Sequence, residues 1–288
     1  LHTCLAANDI SAVAGILNGT TNFILEKMIC DKMRFDDALA LAQQLGYAER
    51  DPSADIDGGD ACRKICILSS LVFGKHVYPD QVYTKGIRNI TLEDVQLAQN
   101  FGGAVKLIGA VKRLENGKIL PTVMPMVVMN ESLISHVNGV FNAVMVWGDG
   151  VDKTMFYGRG AGSLPTGSSV VSDIMEVAKN IAFESTGRFK PFYFDQKNIY
   201  SPGKIQSSYY LRLAVDNKTG VLAKISAKLA EQKISVLSIV QRNMDPETAV
   251  LAIVTSKCPS SYILNLIDSF NSLRSVKSVN SVIRIMEA

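Results

Sequence analysis

The pattern of residues 208–288 constrains the fold more than any other stretch of the sequence. Segments with apolar residues at every second position alternate there with segments whose apolar residues recur every three or four positions. In chain order the segments are "YYLRLAV", "TGVLAKISAKLAEQK", "SVLSIVQRN", "TAVLAIVTSK", "SSYILNLIDSFNSL" and "SVNSVIRIME". The order strand, helix, strand, strand, helix, strand predicts a split βαβ, ferredoxin-like unit.

The preceding residues predict a larger unit of mixed elements. "ISAVAGIL" (10–17) is typical of a buried strand, and "ENGK" joins two further strands, 104–114 and 119–129, into a hairpin. Helices are predicted over 34–46, over 91–99, from Asp60 onward and after Pro165. Residues 1–9 look like the end of a helix, and Thr20 or Thr21 is the expected cap of the next one. An α+β fold of two domains follows.

Composition excludes several classes of function. The formal net charge of +3 is scattered, without the Lys/Arg runs that mark a nucleic-acid-binding protein. No apolar stretch reaches the ~18 residues of a transmembrane helix, so no membrane partner is expected. Five cysteines lie outside zinc and CxxC spacings, and the three histidines have no partners at metal-ligand spacing. We expect a cytoplasmic protein with reduced thiols and no metal site.

The segment "LGYAERDPSADIDGGDACRK" (45–64) is crowded with charge. It has three interpretations: a solvated loop in which Asp57 caps the next helix, a calcium loop, or the mouth of an active site. An EF-hand is disfavoured because the alternating oxygen ligands and the Glu at the twelfth position are not in register. The capping interpretation rests on the spacing of "DGGD".

The helix after this segment favours the active site without deciding it. Asp60 and Lys64 are one turn apart, and Ile67, Leu68 and Leu71 continue the same stripe, which is predicted to face the core. A lysine beside a carboxylate at a partly apolar position can exchange a proton with a substrate oxygen. A buried structural ion pair would have the same sequence.

The bend "YGRGAGSLPTGSS" (157–169) is rich in glycine and leads from a strand into a helix. It is either a tight turn or a place where a phosphate or cofactor approaches a helix N-terminus. The second strand of a βαβ unit and its acidic residue do not follow, so the bend is not a self-sufficient dinucleotide fold.

Three stretches carry a family resemblance: "AGILNGTTNFIL", "ALALAQQLGYAERDPSADIDGGDACRK" and "GRGAGSLPTGSSVVSDI". They resemble the signature regions of homoserine dehydrogenases. Residues 208–288 resemble an ACT domain, with "VDNKTGVLAKI" typical of its first loop and helix. The resemblance implies a mixed-sheet catalytic domain over 1–190 with helices on one face, a linker over 191–207 and an ACT regulatory domain over 208–288.

The implied activity is reduction of aspartate 4-semialdehyde to homoserine with NADP or NAD, on the route to threonine and methionine. By resemblance, the catalytic residues are Lys64, as proton donor to the aldehyde oxygen, and Asp60. The implied substrate-binding and cofactor-binding residues are Asp60, Glu49, Asp55, Tyr47 and Thr20 for the substrate and Gly162 for the cofactor. Ala54 departs from the pattern, because some members of the family have a second aspartate there.

The family's N-terminal dinucleotide-binding domain is not in this sequence, which starts without methionine and reads as a piece of a longer protein. In the family, the helix at 163–185 packs on that domain. We therefore expect the chain alone to bind a nicotinamide cofactor weakly and to be inactive. The helix at 168–183 is expected to expose an apolar face or to bury it against another copy.

The ACT resemblance implies an amino-acid effector, with L-threonine the first candidate, and a homodimer or homotetramer. The expected effector edge comprises Asp216, Asn217, Gly220 and Val221, where glycine lets a ligand approach the backbone. Two alternatives stay open: the domain only dimerises, or the whole chain is a non-catalytic, amino-acid-sensing regulatory protein.

Overall fold

A computed structural model describes residues 4–74, 76–185 and 205–286. The strands are β1 (Ile10–Ile16), β2 (Tyr83–Thr84), β3 (Gly103–Arg113), β4 (Ile119–Met129), β5 (Phe141–Gly148), β6 (Asp152–Arg159), β7 (Gln206–Ser207), β8 (Tyr209–Asp216), β9 (Val236–Asn243), β10 (Thr248–Thr255), β11 (Cys258–Pro259) and β12 (Val276–Ile285). The helices are α1 (Gly19–Cys30), α2 (Phe35–Gln44), α3 (Ser53–Ile56), α4 (Gly59–Phe73), α5 (Leu92–Asn100), α6 (Ser163–Ala182), α7 (Val221–Glu231) and α8 (Ser260–Asn271). Most of the predicted linker, 191–204, lies outside the described residues.

One mixed sheet runs through both halves of the chain. Its strands lie in the order β6-β5-β1-β3-β4-β12-β8-β10-β9, and β2 joins β4 at the side. The predicted hairpin of β3 and β4 pairs along its full length, from Gly103↔Met129 to Arg113↔Ile119. Two parallel pairs, Arg284↔Met126 and Ile285↔Val127, then connect β4 to β12. Two domains were expected, and the sheet is continuous between them.

Helices cover one face of the N-terminal part of this sheet. Successive residues of β3, Leu107 and Ile108, belong to different core clusters, because side chains alternate between the faces of a strand. The cluster containing Leu107 also includes Ile24 of α1, Ile65 of α4 and Val95 of α5. The opposite face packs on the short turn Leu133–His136 through Ile134.

The C-terminal part has the predicted order of elements, β8-α7-β9-β10-α8-β12, interrupted only by the short β11, which pairs with β7. Its strands pair antiparallel in the spatial order β12-β8-β10-β9. One face packs on α7 and α8, as in the contact of Leu213 with the cluster that contains Ile225 and Phe270. The other face, including Tyr210, joins the core of the N-terminal part. The strands β8 and β10 are therefore covered on both sides, whereas most of β9 is exposed.

A buried ion cluster, the junction cluster, links the two parts. Arg212 of β8 donates from Nε to Asp94 Oδ1 (2.7 Å) and from Nη2 to Thr91 Oγ1 (3.1 Å), and its Nη1 pairs with Glu93. The side chain of Arg212 is 7% exposed and that of Asp94 is 0% exposed. Asp94 also closes the capping box of α5, accepting from the Thr91 backbone amide. Ion pairs thus attach β8 to the start of α5.

Two sequence expectations about the first thirty residues are wrong. Residues 4–9 form turns rather than the end of a helix. The cap of α1 is Asn18, whose Oδ1 accepts from the Thr21 amide at 2.9 Å, and not Thr20 or Thr21. An N-cap side chain must precede the helix to reach the amide three residues on, and Asn18 is the residue at that position.

The helix α6 exposes its apolar side chains, as expected from its pattern. None of its residues is buried, and Leu164 and Ile181 are 84% and 73% exposed. Burying such a stripe against another surface is strongly favourable. In the part of the chain that the structure describes, no helix combines the length and apolar character needed to cross a bilayer.

Lys106 is a fully buried lysine whose titration should be visible in stability. Its Nζ donates to Val137 O (2.7 Å), Asn22 Oδ1 (3.1 Å) and Asn138 Oδ1 (3.2 Å), and burial lowers its pKa from 10.5 to about 8. Between these two pKa values the unfolded chain binds more protons than the folded chain. The free energy of unfolding should therefore rise with pH in this window.

The whole rise is on the order of 3 kcal/mol, since one pKa unit corresponds to about 1.4 kcal/mol. We expect Lys106→Met to lose this slope in denaturant unfolding measured from pH 7.5 to 10.5. Lys153→Met, which changes an exposed lysine of β6, should keep it. Parallel slopes for Lys106→Met and the wild type would contradict the expected titration.

Candidate active site

The candidate site forms where β1 ends and α1 begins. The carbonyl oxygen of Leu17, the residue after β1, accepts from Lys64 Nζ at 2.9 Å and from Asn142 Nδ2 at 3.1 Å. Lys64 lies on α4 and Asn142 on β5. A single backbone carbonyl therefore fixes two side chains that are 78 positions apart in the sequence.

Asn18 holds the carboxylates of the site. Its Oδ1 accepts from the amide of Thr21, so its Nδ2 is left to donate to Asp55 Oδ1 at 2.7 Å and to Asp60 Oδ2 at 2.9 Å. The residue is only 5% exposed. One side chain thus caps α1 and brings α3, which carries Asp55, against the start of α4, which carries Asp60.

Lys64 and Asp60 form the predicted ion pair, with Nζ 2.8 Å from Oδ2. Their side chains are 41% and 31% exposed, so both border solvent. The prediction that they begin the core-facing stripe is wrong, because Ile67 of that stripe is 59% exposed. The buried face of α4 is rotated from it and consists of Ala61, Cys62, Ile65, Cys66 and Ser69. The pair sits at the edge of the core, where a substrate can reach it.

Asp57 and Asp51 have structural partners outside this constellation. Asp57 does not cap α4, since the N-cap is Gly58, in a left-handed conformation (φ +87°) without a side-chain bond. Instead, two hydrogen bonds from Arg88 lower the pKa of Asp57. Asp51 accepts from Ser53, and this bond lowers its pKa too. The acidic segment is therefore divided between structural pairs and the site, which does not fit a calcium loop.

The other predicted substrate residues, Thr20, Tyr47 and Glu49, have contacts with the α1–α2 region. Thr20 Oγ1 donates to the carbonyl oxygen of Tyr47 at 2.6 Å, and the Tyr47 ring meets Phe23 edge to face at 5.1 Å. Glu49 is exposed, and its carbonyl accepts from Gln43 Nε2 at 3.0 Å. The structure thus joins Asp60, Lys64 and Asp55 by direct or shared bonds. It places Thr20 and Tyr47 in contact with each other.

Asn18 and Asn142 are site residues that the sequence did not indicate. Asn142 Oδ1 is a buried oxygen with no hydrogen-bond partner among the described residues. A Cβ at Gly160 would lie 2.0 Å from Asn142 Nδ2, so the glycine-rich bend approaches the site through Gly160. Gly162, the predicted cofactor residue, has φ +118° and precedes α6. The spacing of the glycines indicated a close approach but not its partner.

The predicted effector edge borders a separate small cavity. Asp216, Gly220 and Val221 are among the residues that line a space of about 220 Å³. Asn217 is held by its amide, which donates to Glu247 O at 2.8 Å. Gly220 has φ +84° and forms the N-cap of α7.

Replacing Asn18 by aspartate should separate its two roles. Asn18→Asp keeps an oxygen that can cap α1 but puts a third carboxylate against Asp55 and Asp60. We expect the free energy of unfolding to fall by about 1–3 kcal/mol at pH 7, because hydrogen bonds are lost and like charges come into contact. Because crowding raises a carboxyl pKa in the folded state, the loss should shrink as the pH falls towards 4. Denaturant unfolding at pH 7 and pH 4.5 tests this; a pH-independent loss would contradict it.

Comparison with known proteins gives one family. The family model for homoserine dehydrogenase matches residues 1–175. The homoserine dehydrogenase of Bacillus subtilis is 39% identical over 289 residues, covering 99% of this chain and 66% of the relative. That of Neisseria gonorrhoeae is 38% identical over 294 residues, covering 99% of this chain and 67% of the relative. The chain thus spans about two thirds of the length of these relatives.

Solved structures agree with the sequence comparison. The crystal structure of a homoserine dehydrogenase from Thiobacillus denitrificans matches with a TM-score of 0.92 and 37% identity, over 99% of this chain and 66% of that chain. A hyperthermophilic archaeal homoserine dehydrogenase mutant in complex with NADPH matches with a TM-score of 0.52 and 30% identity. That match covers 62% of this chain and 50% of that chain.

Proposed function

Because this chain belongs to the homoserine dehydrogenase family, we propose that it is the substrate-binding and regulatory part of an NAD(P)-dependent oxidoreductase. The proposed reaction interconverts L-aspartate 4-semialdehyde and L-homoserine. The observation that carries the proposal is the Lys64–Asp60 pair, anchored by Leu17 O and Asn18 at the edge of the core. A protein that only senses an amino acid has no use for a solvent-bordering ammonium fixed in this way.

Lys64 is the proposed proton donor to the aldehyde oxygen. An ammonium has three N–H groups, and the bonds to Asp60 and Leu17 O orient the side chain with two of them. The third is proposed to point at the substrate oxygen, which takes the proton as the carbonyl becomes a hydroxyl. Since Lys64 is 41% exposed, water can restore its proton. A bound nicotinamide cofactor supplies the hydride that the carbon receives.

The carboxylates are proposed to hold the substrate ammonium. Asp60 and Glu49 take this role, and Asp55 contributes to the same polar pocket, held next to Asp60 by Asn18. Thr20 and Tyr47 border the pocket. Ala54 offers no carboxylate, so ammonium binding rests on the remaining acidic groups.

The cofactor is NADP or NAD, and the bend at 158–162 fits one edge of its site. Gly162, with φ +118°, lies directly in front of the 20-residue helix α6, and a Cβ added there would lie 3.4 Å from Pro165 Cδ. We propose that the rest of the cofactor site belongs to a dinucleotide-binding domain outside this chain. The apolar stripe of α6, within 163–185, packs on that domain, and residues 1–190 form the catalytic domain.

Two proteins test the proposal: the 288-residue chain alone, and an extended protein in which a dinucleotide-binding domain of the family precedes Leu1. We expect the extended protein to oxidise homoserine with NADP or NAD, and the chain alone to be inactive. Calorimetry should give no micromolar NADPH binding by the chain alone. An inactive extended protein that is folded and binds NADPH would refute the catalytic assignment and favour the alternative, a non-catalytic amino-acid sensor.

Residues 208–288 are proposed to form a ferredoxin-like ACT regulatory domain, preceded by a linker over 191–207. The order of elements supports this. L-threonine is the proposed effector, in the cavity beside Asp216, Asn217, Gly220 and Val221. Sites of this kind usually lie between paired copies, so a homodimer or homotetramer is proposed. Threonine that gives neither heat nor a Tm shift would leave dimerisation as the domain's role.

A further inference from the structure

The amide of Asn142 shares its acceptor with the ammonium of Lys64. Asn142 Nδ2 donates to Leu17 O at 3.1 Å, and Lys64 Nζ donates to the same oxygen at 2.9 Å. A carbonyl oxygen has two lone pairs, so these two donors fill its capacity. A rotation of the Leu17 carbonyl would therefore disturb both bonds.

The Leu17 carbonyl belongs to a peptide group that is tied to both partners of Lys64. Leu17 follows the last residue of β1, and its carbonyl is bonded to side chains. The same planar peptide group continues into Asn18, whose Nδ2 donates to Asp60 Oδ2 at 2.9 Å. Asp60 Oδ2 in turn lies 2.8 Å from Lys64 Nζ. The direction of this one peptide group therefore affects both groups that bind the ammonium.

The amide of Asn142 also carries a buried oxygen that has no partner. Asn142 Oδ1 accepts no hydrogen bond within the described ranges of the chain. Exchanging the two ends of the amide would place this oxygen against Leu17 O, so the amide cannot find a donor by turning over. A buried oxygen without a donor is destabilising. Leucine branches at the same carbon and would avoid that loss, so stability does not explain the amide.

The side-chain bond of Asn142 is not needed to hold β5 in the sheet. The backbone of β5 pairs with β1 on one side and with β6 on the other, where Asn142 lies opposite Gly158. A Cβ at Gly160 would lie 2.0 Å from Asn142 Nδ2, so the backbone of the glycine-rich bend lies directly against the amide. The amide is thus confined between the bend and Leu17 O.

We propose that Asn142 is a positioning residue for Lys64 and acts through the Leu17 carbonyl. It supplies a donor that carries no charge, so it directs the carbonyl without competing with the Lys64 ammonium for Asp60. Asn142 itself touches no reacting atom in this assignment. Its effect on the reaction rests on the proposed function, whereas its effect on Lys64 is measurable in the chain alone.

Acylation with acetic anhydride, followed by mass spectrometry, measures how firmly Lys64 is held. The reagent needs an amine that has left its hydrogen-bond partners, so a less firmly held lysine reacts faster. In the Asn142→Leu chain we expect Lys64 to react at least about threefold faster than in the wild type, because a hydrogen bond to a charged group is among the stronger ones. Lys27, in a matching ion pair with Asp31, should react at an unchanged rate. An unchanged rate at Lys64 would overturn the proposal.

A second variant and the Tm separate positioning from folding. Asn142→Ala removes the amide without placing new atoms beneath the bend, and it should give the same faster acylation of Lys64. The Tm of the Asn142→Leu chain should not fall, because the oxygen without a partner is gone. A lower Tm in both variants, with Lys64 reacting at the wild-type rate, would show that the bond is only structural and would overturn the proposal.

In the extended protein, substitutions of Asn142 and Lys64 should not be additive. Asn142→Leu should lower kcat for homoserine oxidation about tenfold and leave KM within about twofold, because a small misplacement of a reacting group mainly slows the chemical step. In the Lys64→Met background it should change kcat less than about twofold, since no ammonium remains to be positioned. Asn243→Leu, at an exposed position on β9, should behave like the wild type.

The kinetic result has two contrary outcomes with different meanings. Equal losses of kcat in the wild-type and Lys64→Met backgrounds would show that Asn142 does not act through Lys64, and would overturn the proposal. An extended wild-type protein that is folded, binds NADPH and is inactive would refute the proposed function, and the acylation rates would then decide the positioning of Lys64 on their own.

Discussion

Lys64→Met in the extended protein should lower kcat/KM for homoserine oxidation by about 100-fold or more, the usual contribution of a positioned proton-transfer group. Methionine keeps the length of the side chain but removes the donor that Asp60 and Leu17 O orient. Steady-state kinetics in both directions would measure the loss. Activity within a few-fold of the wild type would exclude Lys64 from the chemistry.

The chain offers a matched control for this substitution. Lys27 and Asp31 form the same i,i+4 ion pair, also at 2.8 Å, at the far end of α1. Lys27→Met should leave kcat and KM unchanged. Lys64→Arg adds a sharper test, because a guanidinium keeps the charge but does not give up its proton near neutral pH. It should keep KM close to wild type while kcat stays low; recovery of kcat would argue that Lys64 acts only as a charge.

Arg212→Met should lower the free energy of unfolding by about 3–5 kcal/mol, the cost of removing one partner from a buried ion pair. The variant leaves Asp94 fully buried with its charge unpaired, at the point where β8 meets α5. For a chain of this size the Tm should fall on the order of 10 °C. Thermal and denaturant unfolding of the chain alone would measure the effect.

A second substitution shows whether the lone charge is the cause. Arg212→Met with Asp94→Asn removes that charge and keeps an oxygen for the Thr91 amide, so part of the stability should return. Arg113→Met, which breaks an exposed pair with Asp9, should not change the Tm measurably. If Arg212→Met behaves like Arg113→Met, the junction cluster does not hold the two parts together.

Local periodicity predicted most of the helices and strands, because burial on one face repeats with the period of the element. It failed where a contact depends on residues distant in the sequence. Asn18 looked like part of a turn, and only the positions of Asp55 and Asp60 make its amide a bridge. Arg212 fits the alternating pattern of the β8 strand, but the sequence does not show that its carboxylate partner, Asp94, lies on α5.

In the candidate site, too, local features were predicted from the sequence and contacts between distant residues were not. The charged segment and the Asp60–Lys64 spacing indicated the active site, and the pair forms as expected. The direction of the pair could not be read from the helical pattern, because α4 carries apolar residues both on the stripe of Asp60 and Ile67 and, roughly 140–160° around the helix, on the face of the buried Ile65. The role of Asn142 follows from the pairing of β5 with β1, which the sequence does not state.

The position of β12 has a consequence for how the protein is made. The last strand of the chain lies in the middle of the sheet, between β4 and β8. During synthesis, β4 and β8 have therefore both emerged from the ribosome long before the strand that seals them. Until then β8 has an unpaired edge, and β4 is paired on that side only at Thr122 and Val123, by β2. Such open edges are templates for pairing with another nascent chain. Removing residues 276–285 would leave two open edges inside the sheet.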